Sequence, residues 1–313
     1  MENDKQLTPL HPRTSGGCIA SGYRLYTSAF RRLFRASWPV AVVYAIAMAA
    51  MSSYYISHAI PLMGLQTIVD PDTMQRLWLR TTLISGALGF CFIIAATVLA
   101  SYGFSAMREH LATGDVSRAP RWWGRLDVKT LWRTALCVLW LLLLSLIYGG
   151  LTTSLMMLAQ RSGLTSLLIG SGVFALALLF LLLPLCYTVY RAILAERFSP
   201  APPLSGYLSG LGHWGLLFVV VLITGLATLL LTLITQLPAL ILYAANIRSQ
   251  LGALQGDELG MPQGMWWLNF VVFLIGGFIQ AYVHLSTLFP LYYAYGTIRS
   301  EEDERRKAPL FSE

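Results

Sequence analysis

Six stretches, at about 38–60, 81–105, 133–158, 164–192, 214–245 and 266–297, contain no Asp, Glu or Lys, and Arg only at two margins (Arg133 and Arg191). A helix needs roughly 20 apolar residues to cross a bilayer. Every stretch reaches that length, so the chain reads as all-α: a polytopic membrane protein with six transmembrane helices. Composition agrees, since only 12% of the residues are charged and 56% are hydrophobic. Soluble domains carry about 25% charged residues, and a water-soluble fold of this chain would expose too much apolar surface. The fourth to sixth stretches are long enough to tilt or extend past the bilayer, and Pro184, Pro238 and Pro290 supply kink sites because proline removes a helical donor.

Lys and Arg set the direction of crossing. With both termini cytoplasmic, 18 of the 22 Lys and Arg residues fall in inside segments, leaving Arg76, Arg80, Arg161 and Arg248 outside. This bias predicts both termini in the cytoplasm, in a bacterial inner membrane. The expected layout is a disordered N-terminus over 1–22, a six-helix membrane domain over 23–298, and a charged, partly disordered tail over 299–313. The first 37 residues carry no apolar core of a signal peptide.

The segment "YRLYTSAFRRLFRASWPV" (23–40) puts four arginines and five aromatic rings just before the first span. On a helix Arg24, Arg31 and Arg35 share a face with Arg32 at its margin, while Tyr23, Tyr26, Phe30, Leu33 and Phe34 occupy the other. Such a segment is expected to lie in the headgroup layer, rings among acyl chains and guanidinium groups on anionic phosphates. The same mixture occurs in nucleic-acid-binding arms, but its place beside a span favours lipid, so no nucleic-acid partner is expected. Arg121, Arg125 and Lys129 repeat the pattern before the third span, in "RWWGRLDVKTLWRTALCVLW". These seven basic residues are the candidate anionic-lipid contacts.

A third lead-in, "PLSGYLSGLGHWGLLFVV", is less basic but again has Tyr207 and then Trp214 at the membrane. The ends of spans four and six also correspond: "LPLCYTVYRAILAERF" and "FPLYYAYGTIRSEED" both follow Pro-Leu with a Tyr three residues after the Pro. The end of span two, "SYGFSAMREH", is a weaker copy. Ala-Pro pairs follow each of the three, at 119–120, 201–202 and 308–309. The expectation is three parallel helical-hairpin repeats, each with an interfacial amphipathic segment, about an axis along the membrane normal.

Inside the spans the polar residues cluster. Span five carries Thr224, Thr228, Thr232, Thr235 and Gln236 near one face; span six carries Asn269, Gly276, Gln280, His284 and Thr287; span three offers Ser145, Gly149, Thr152 and Thr153. Small and hydroxylated residues ordinarily hold membrane helices together. The alternative is a narrow polar cavity between spans five and six, faced by Gln236, Gln280 and His284. No fixed charge lies deep in a span, which argues against an ion-coupled pump.

Chemistry finds little purchase. Cys18, Cys91, Cys137 and Cys186 are too far apart for a zinc or disulfide pattern. Metal or haem sites need several converging ligands, and His11, His58, His110 and His213 lie in tails or near interfaces. No nucleophile elbow, zinc-protease helix or P-loop occurs. The reading is non-enzymatic, with no cofactor and no metal.

The segment at 23–40, with "PLCYTVYRAILAERFSPAPPLSGYLSGLGHWGLLFVV" between spans four and five, resembles a loose group of bacterial six-helix proteins. That group includes the membrane domain joined to some glycerophosphodiester phosphodiesterases. Over residues 23 to about 298 the resemblance implies architecture and a role near lipids, since the group's chemistry belongs to a soluble barrel not found in this sequence. The expected function is a non-enzymatic integral membrane protein that interacts with lipids or serves as scaffold or accessory to a membrane complex, with a membrane protein or a second copy as possible partner. The alternative is a transporter or permease component for a lipid-like or small neutral molecule.

Overall fold

The computed structural model describes residues 10–59, 70–113, 127–162, 165–195, 204, 206–254 and 264–307. Among them are seven helices and no strand: α1 (Ser15–Tyr54), α2 (Pro71–Thr113), α3 (Val128–Ser162), α4 (Thr165–Leu194), α5 (Tyr207–Gly212), α6 (Trp214–Leu254) and α7 (Met265–Lys307). A single π-helical turn, Tyr55–Ala59, follows α1. Six helices are long and apolar enough to cross a membrane. Their exposed positions are apolar, as at Phe90, Leu139, Leu146 and Ile234, while Ser101, Thr188, Gln280 and Thr297 are buried. That inversion suits a lipid solvent. The chain is an all-α integral membrane protein.

The helices are longer than the spans read from the sequence. At 1.5 Å per residue α1, with 40 residues, is about 60 Å long, against ~40–45 Å for a bilayer with its headgroups. Helices α2, α6 and α7, of 43, 41 and 43 residues, are as long. Where the sequence suggested a separate headgroup segment and a disordered N-terminus, α1 starts at Ser15 and runs unbroken through Pro39. Within the charged tail it suggested to be partly disordered, α7 continues to Lys307. Residues 1–9 and the Ala-Pro pairs lie outside the described residues.

The described residues form two compact units: Met1–Leu33, Ser101–Gly225 and Ser286–Glu313 make the first, and Phe34–Ala100 with Leu226–Leu285 the second. In the first unit α2, α4 and α7 touch pairwise. Phe104 of α2 lies 5.2 Å from the Tyr190 ring of α4. Tyr187 of α4 lies 5.6 Å from Tyr295 of α7. His110 Nδ1 of α2 is 3.0 Å from the Tyr292 hydroxyl of α7.

Onto these three dock α1, α3, α5 and α6. The start of α1 packs on α7: Tyr26 lies 5.2 Å from Phe289, and Cys18 Sγ is 3.5 Å from Thr297 Oγ1. Before α3, Asp127 accepts from Arg108 of α2 at 2.6 Å. Buried Arg133 of α3 donates to the carbonyls of Ile193 and Ala195 at the end of α4. A cation there satisfies carbonyls that a helix C-terminus leaves without partners. Arg133 thus differs from exposed Lys129 one turn earlier.

The third lead-in docks on α4 for a reason set by Pro184. Proline has no N–H, so the carbonyl four residues earlier, on Phe180, loses its helical donor. Trp214 Nε1 donates to that carbonyl at 3.3 Å, its ring stacked 4.4 Å from Phe180. Tyr207 donates to the neighbouring Leu181 carbonyl at 2.7 Å. Gly210 lets α5 sit on the proline, for a Cβ there would be 3.0 Å from the Pro184 oxygen. Trp214, read as an interface marker, therefore serves the carbonyl that the proline leaves open, and Tyr207 docks beside it.

In the second unit Gly277 of α7 lets Ala45 of α1 come close, 3.2 Å from an added Cβ to the Ala45 Cα. Tyr44 of α1 packs on Phe92 of α2 at 4.6 Å. Ala49, Ile56, Ala239 and Phe273 form a buried apolar cluster.

Candidate functional site

The polar residues of α6 and α7 come together in the second unit as an antiparallel ladder with four-residue steps. Gln236 lies against Gly276, where a Cβ would be 2.6 Å from the Gln236 Oε1. One turn on, Gln280 Nε2 donates to Thr232 Oγ1 at 2.8 Å. Towards the far ends of these helices Asn246 and Asn269 exchange two hydrogen bonds, of 3.0 and 3.2 Å. Gln280 Nε2 is also 2.9 Å from His284 Nε2, a contact that requires the imidazole nitrogen to accept. Gln236 and Gln280 are buried, whereas His284 is exposed. The three candidate residues thus share one seam, in which the helices touch directly. Two amide atoms stay without a hydrogen-bond partner, Gln236 Nε2 and Gln280 Oε1.

The polar residues of span three do something else. Ser145 donates to the Leu142 carbonyl of its own helix, and Thr152 and Thr153 to the Gly149 carbonyl. No atom lies within 4 Å of a Cβ placed on Gly149. These hydroxyls satisfy themselves and bridge nothing, as back-bonding Ser and Thr do in apolar surroundings.

A cavity of about 370 Å³ opens in the second unit, lined by Met51, Tyr55, Ile56, Ala239, Tyr243 and Phe273, with Ser52, Ser85 and Leu240. Its wall is almost entirely carbon, with the two serines as the small residues that make room. None of these residues was singled out in the sequence, because each alone is an ordinary span residue. The one legible signal is the coincidence of small side chains at 52, 85 and 239 on three separate helices.

Of the basic candidates, Arg24, Arg31, Arg32, Arg35 and Lys129 are all exposed; Arg121 and Arg125 lie outside the described residues. The rings beside them are not the buried face of α1. That face is made by Cys18, Gly22, Leu25, Ala29 and Leu33, while Phe30 is exposed. Small residues win the interface because they let backbones approach. Asp127 sits among Arg108, Lys129 and Thr130. Partial burial alone would raise its carboxyl, but bonds from Thr130 and the Lys129 amide, with the nearby Arg108 and Lys129 charges, lower it below the ordinary value. Among the described residues no three His, Cys, Asp or Glu side chains converge as a metal site.

Fold and site together define a six-helix integral membrane protein with an apolar cavity and a polar interhelical seam. Comparison with protein-family models, curated proteins and solved structures finds no match.

Proposed function

We propose that the chain is a non-enzymatic, lipid-binding protein of a bacterial inner membrane, with both termini in the cytoplasm and its exposed arginines on anionic headgroups. The carbon-lined cavity of about 370 Å³ in the second unit carries this reading. It falls within the range of small-ligand sites, roughly 300–1,000 Å³, and has few polar groups to orient anything but an apolar chain. A lipid tail gains only packing on entering, because bilayer and cavity are equally apolar. Affinity should then be modest and tail-dependent, as suits a lipid-interacting scaffold or accessory with a membrane protein or a second copy as partner. Native mass spectrometry of the gently solubilised chain tests it. Ala239→Phe should lower retained lipid several-fold while the protein stays monodisperse; unchanged retention would sink the reading.

A second reading, a permease component for a small neutral molecule, draws on the unpaired Gln236 Nε2 and Gln280 Oε1. A donor and an acceptor left open in an apolar region cost free energy unless something pairs with them. Cysteines placed at 236, 280 and 284 should then react with aqueous thiol reagents. Complete protection from both sides would leave these amides as helix glue.

A further inference from the structure

The first unit holds a second cavity, of about 280 Å³, whose chemistry is the opposite of the apolar one. Its walls are Tyr187, Arg191 and Ala195 at the end of α4, with Tyr295, Arg299, Glu302, Asp303 and Arg306 of α7. The two helices contribute the same short pattern, a tyrosine followed four residues later by an arginine: Tyr187 and Arg191, Tyr295 and Arg299. Four residues is just over one helical turn, so each arginine stands above its tyrosine. The two rings meet at 5.6 Å and close the floor.

The charges inside are incompletely matched. Arg299 Nη1 is held by the Tyr295 hydroxyl at 2.9 Å, which leaves its charge without a counter-ion in that bond. Arg191 and Glu302 approach only to 3.7 Å, beyond hydrogen-bond reach. Glu302 is hydrogen-bonded by the Tyr187 hydroxyl, while its buried Oε1 has no hydrogen-bond partner. Three guanidinium groups and two carboxylates therefore surround a space with an acceptor still open. A purely anionic guest would face Glu302 and Asp303, and a purely cationic one would face three arginines. A guest with both signs satisfies each side: phosphate on the arginines, for which guanidinium is the preferred partner, and an N–H-bearing ammonium on Glu302.

We propose that this cavity binds a phosphate–ammonium zwitterion with N–H donors, the chemistry of an aminophospholipid headgroup or of free phosphoethanolamine. The site goes beyond the apolar cavity and is tested by headgroup preference, whereas the cavity variant above reads total lipid. The full-length chain is offered phosphatidylethanolamine, phosphatidylcholine and phosphatidylglycerol, and retention is read by native mass spectrometry at high salt, where exposed arginines are screened. Phosphatidylethanolamine should be retained about tenfold over phosphatidylcholine, whose ammonium has no N–H, and over phosphatidylglycerol, which has no ammonium at all; tenfold corresponds to about 1.4 kcal/mol. Glu302→Gln and Arg299→Gln should each erase that preference. Arg306→Gln, on an exposed side chain, should reduce it and keeps the test available if a variant at half-buried Glu302 or Arg299 fails to fold. Thermal stabilisation by free phosphoethanolamine, lost in Arg299→Gln, would identify the soluble zwitterion as sufficient; headgroup preference without that stabilisation would identify the lipid. Equal retention of all three lipids with no stabilisation, or a preference untouched by these variants, would overturn the assignment.

Discussion

Gly22 of α1 and Pro290 of α7 touch backbone to backbone: a Cβ added to Gly22 would stand 2.5 Å from the Pro290 nitrogen and 2.6 Å from its Cα. No flexible side chain is available to yield. Gly22→Ala should therefore lower stability by about 1–3 kcal/mol, the usual cost of overpacking. Gly16, on the same helix with nothing within 4 Å of its Cβ position, gives the control: Gly16→Ala should be neutral or raise stability by about 0.5 kcal/mol. Thermal unfolding in detergent compares the two.

Trp214→Phe keeps the stack on Phe180 but removes the indole donor from a carbonyl that Pro184 has left unserved. A loss of about 1–2 kcal/mol is expected. Pro184→Ala restores a backbone N–H to that carbonyl, so Trp214→Phe should cost clearly less in the Pro184→Ala background. A double-mutant cycle reads the difference, and equal losses in both backgrounds would disprove the repair.

Asn246 and Asn269 satisfy each other across α6 and α7. Replacing either by Leu orphans the other amide, while replacing both removes the need. Each single variant should lose about 0.6–2 kcal/mol, and the double variant less than the sum. Denaturation of the four proteins supplies the comparison.

The Asp127 carboxyl is held below its ordinary value in the folded chain. A lowered carboxyl stabilises the fold above the unfolded value, near 4, and that contribution disappears as pH falls through the folded value. Stability should thus be flat in this respect from neutral pH to about 5, then decline in acid, with a smaller decline in Asp127→Asn. The effect should be slight, since the side chain keeps 39% of its exposure and its pair with Arg108 is screened.

Changing Arg24, Arg31, Arg32 and Arg35 together to Gln should reduce co-purified anionic lipid at low salt, by up to about 1 kcal/mol for each charge near the membrane surface. The difference from the unaltered chain should fade as salt is raised. Identical anionic lipid content at low salt would remove these arginines from the lipid contact.

The number and class of the spans were legible because hydropathy is a sum over twenty residues and survives ignorance of partners. The stripe that carries Gln236, Gln280 and His284 was visible as polar residues at helical spacing in apolar runs, but it was read as the candidate face of a cavity, and the direct helix contact there was not legible. What escaped was whatever depends on a second helix. Pro184 was read as a kink, yet the Phe180 carbonyl it leaves without a helical donor is met by Trp214, 34 residues further along the sequence. The rings of the first segment were read as facing acyl chains, but the protein-facing side of that helix, held by Gly22, Ala29 and their neighbours, went unread, because hydrophobicity ranks a ring above a glycine while close packing reverses the order. The paired Tyr-x-x-x-Arg pattern was visible but was aligned by its prolines, which match Tyr187 to Tyr293 instead of to its contact Tyr295.

Cys18 and Thr297 are 279 residues apart in the chain and adjacent in space. During synthesis, the first helix emerges long before its seat exists. Its seam of Cys18, Gly22, Leu25 and Ala29 must wait in the membrane until the last helix is inserted. Until α7 is inserted, the small-residue seam of α1 has no partner to close on, so the two helices become a stable pair only after most of the chain between them has been made.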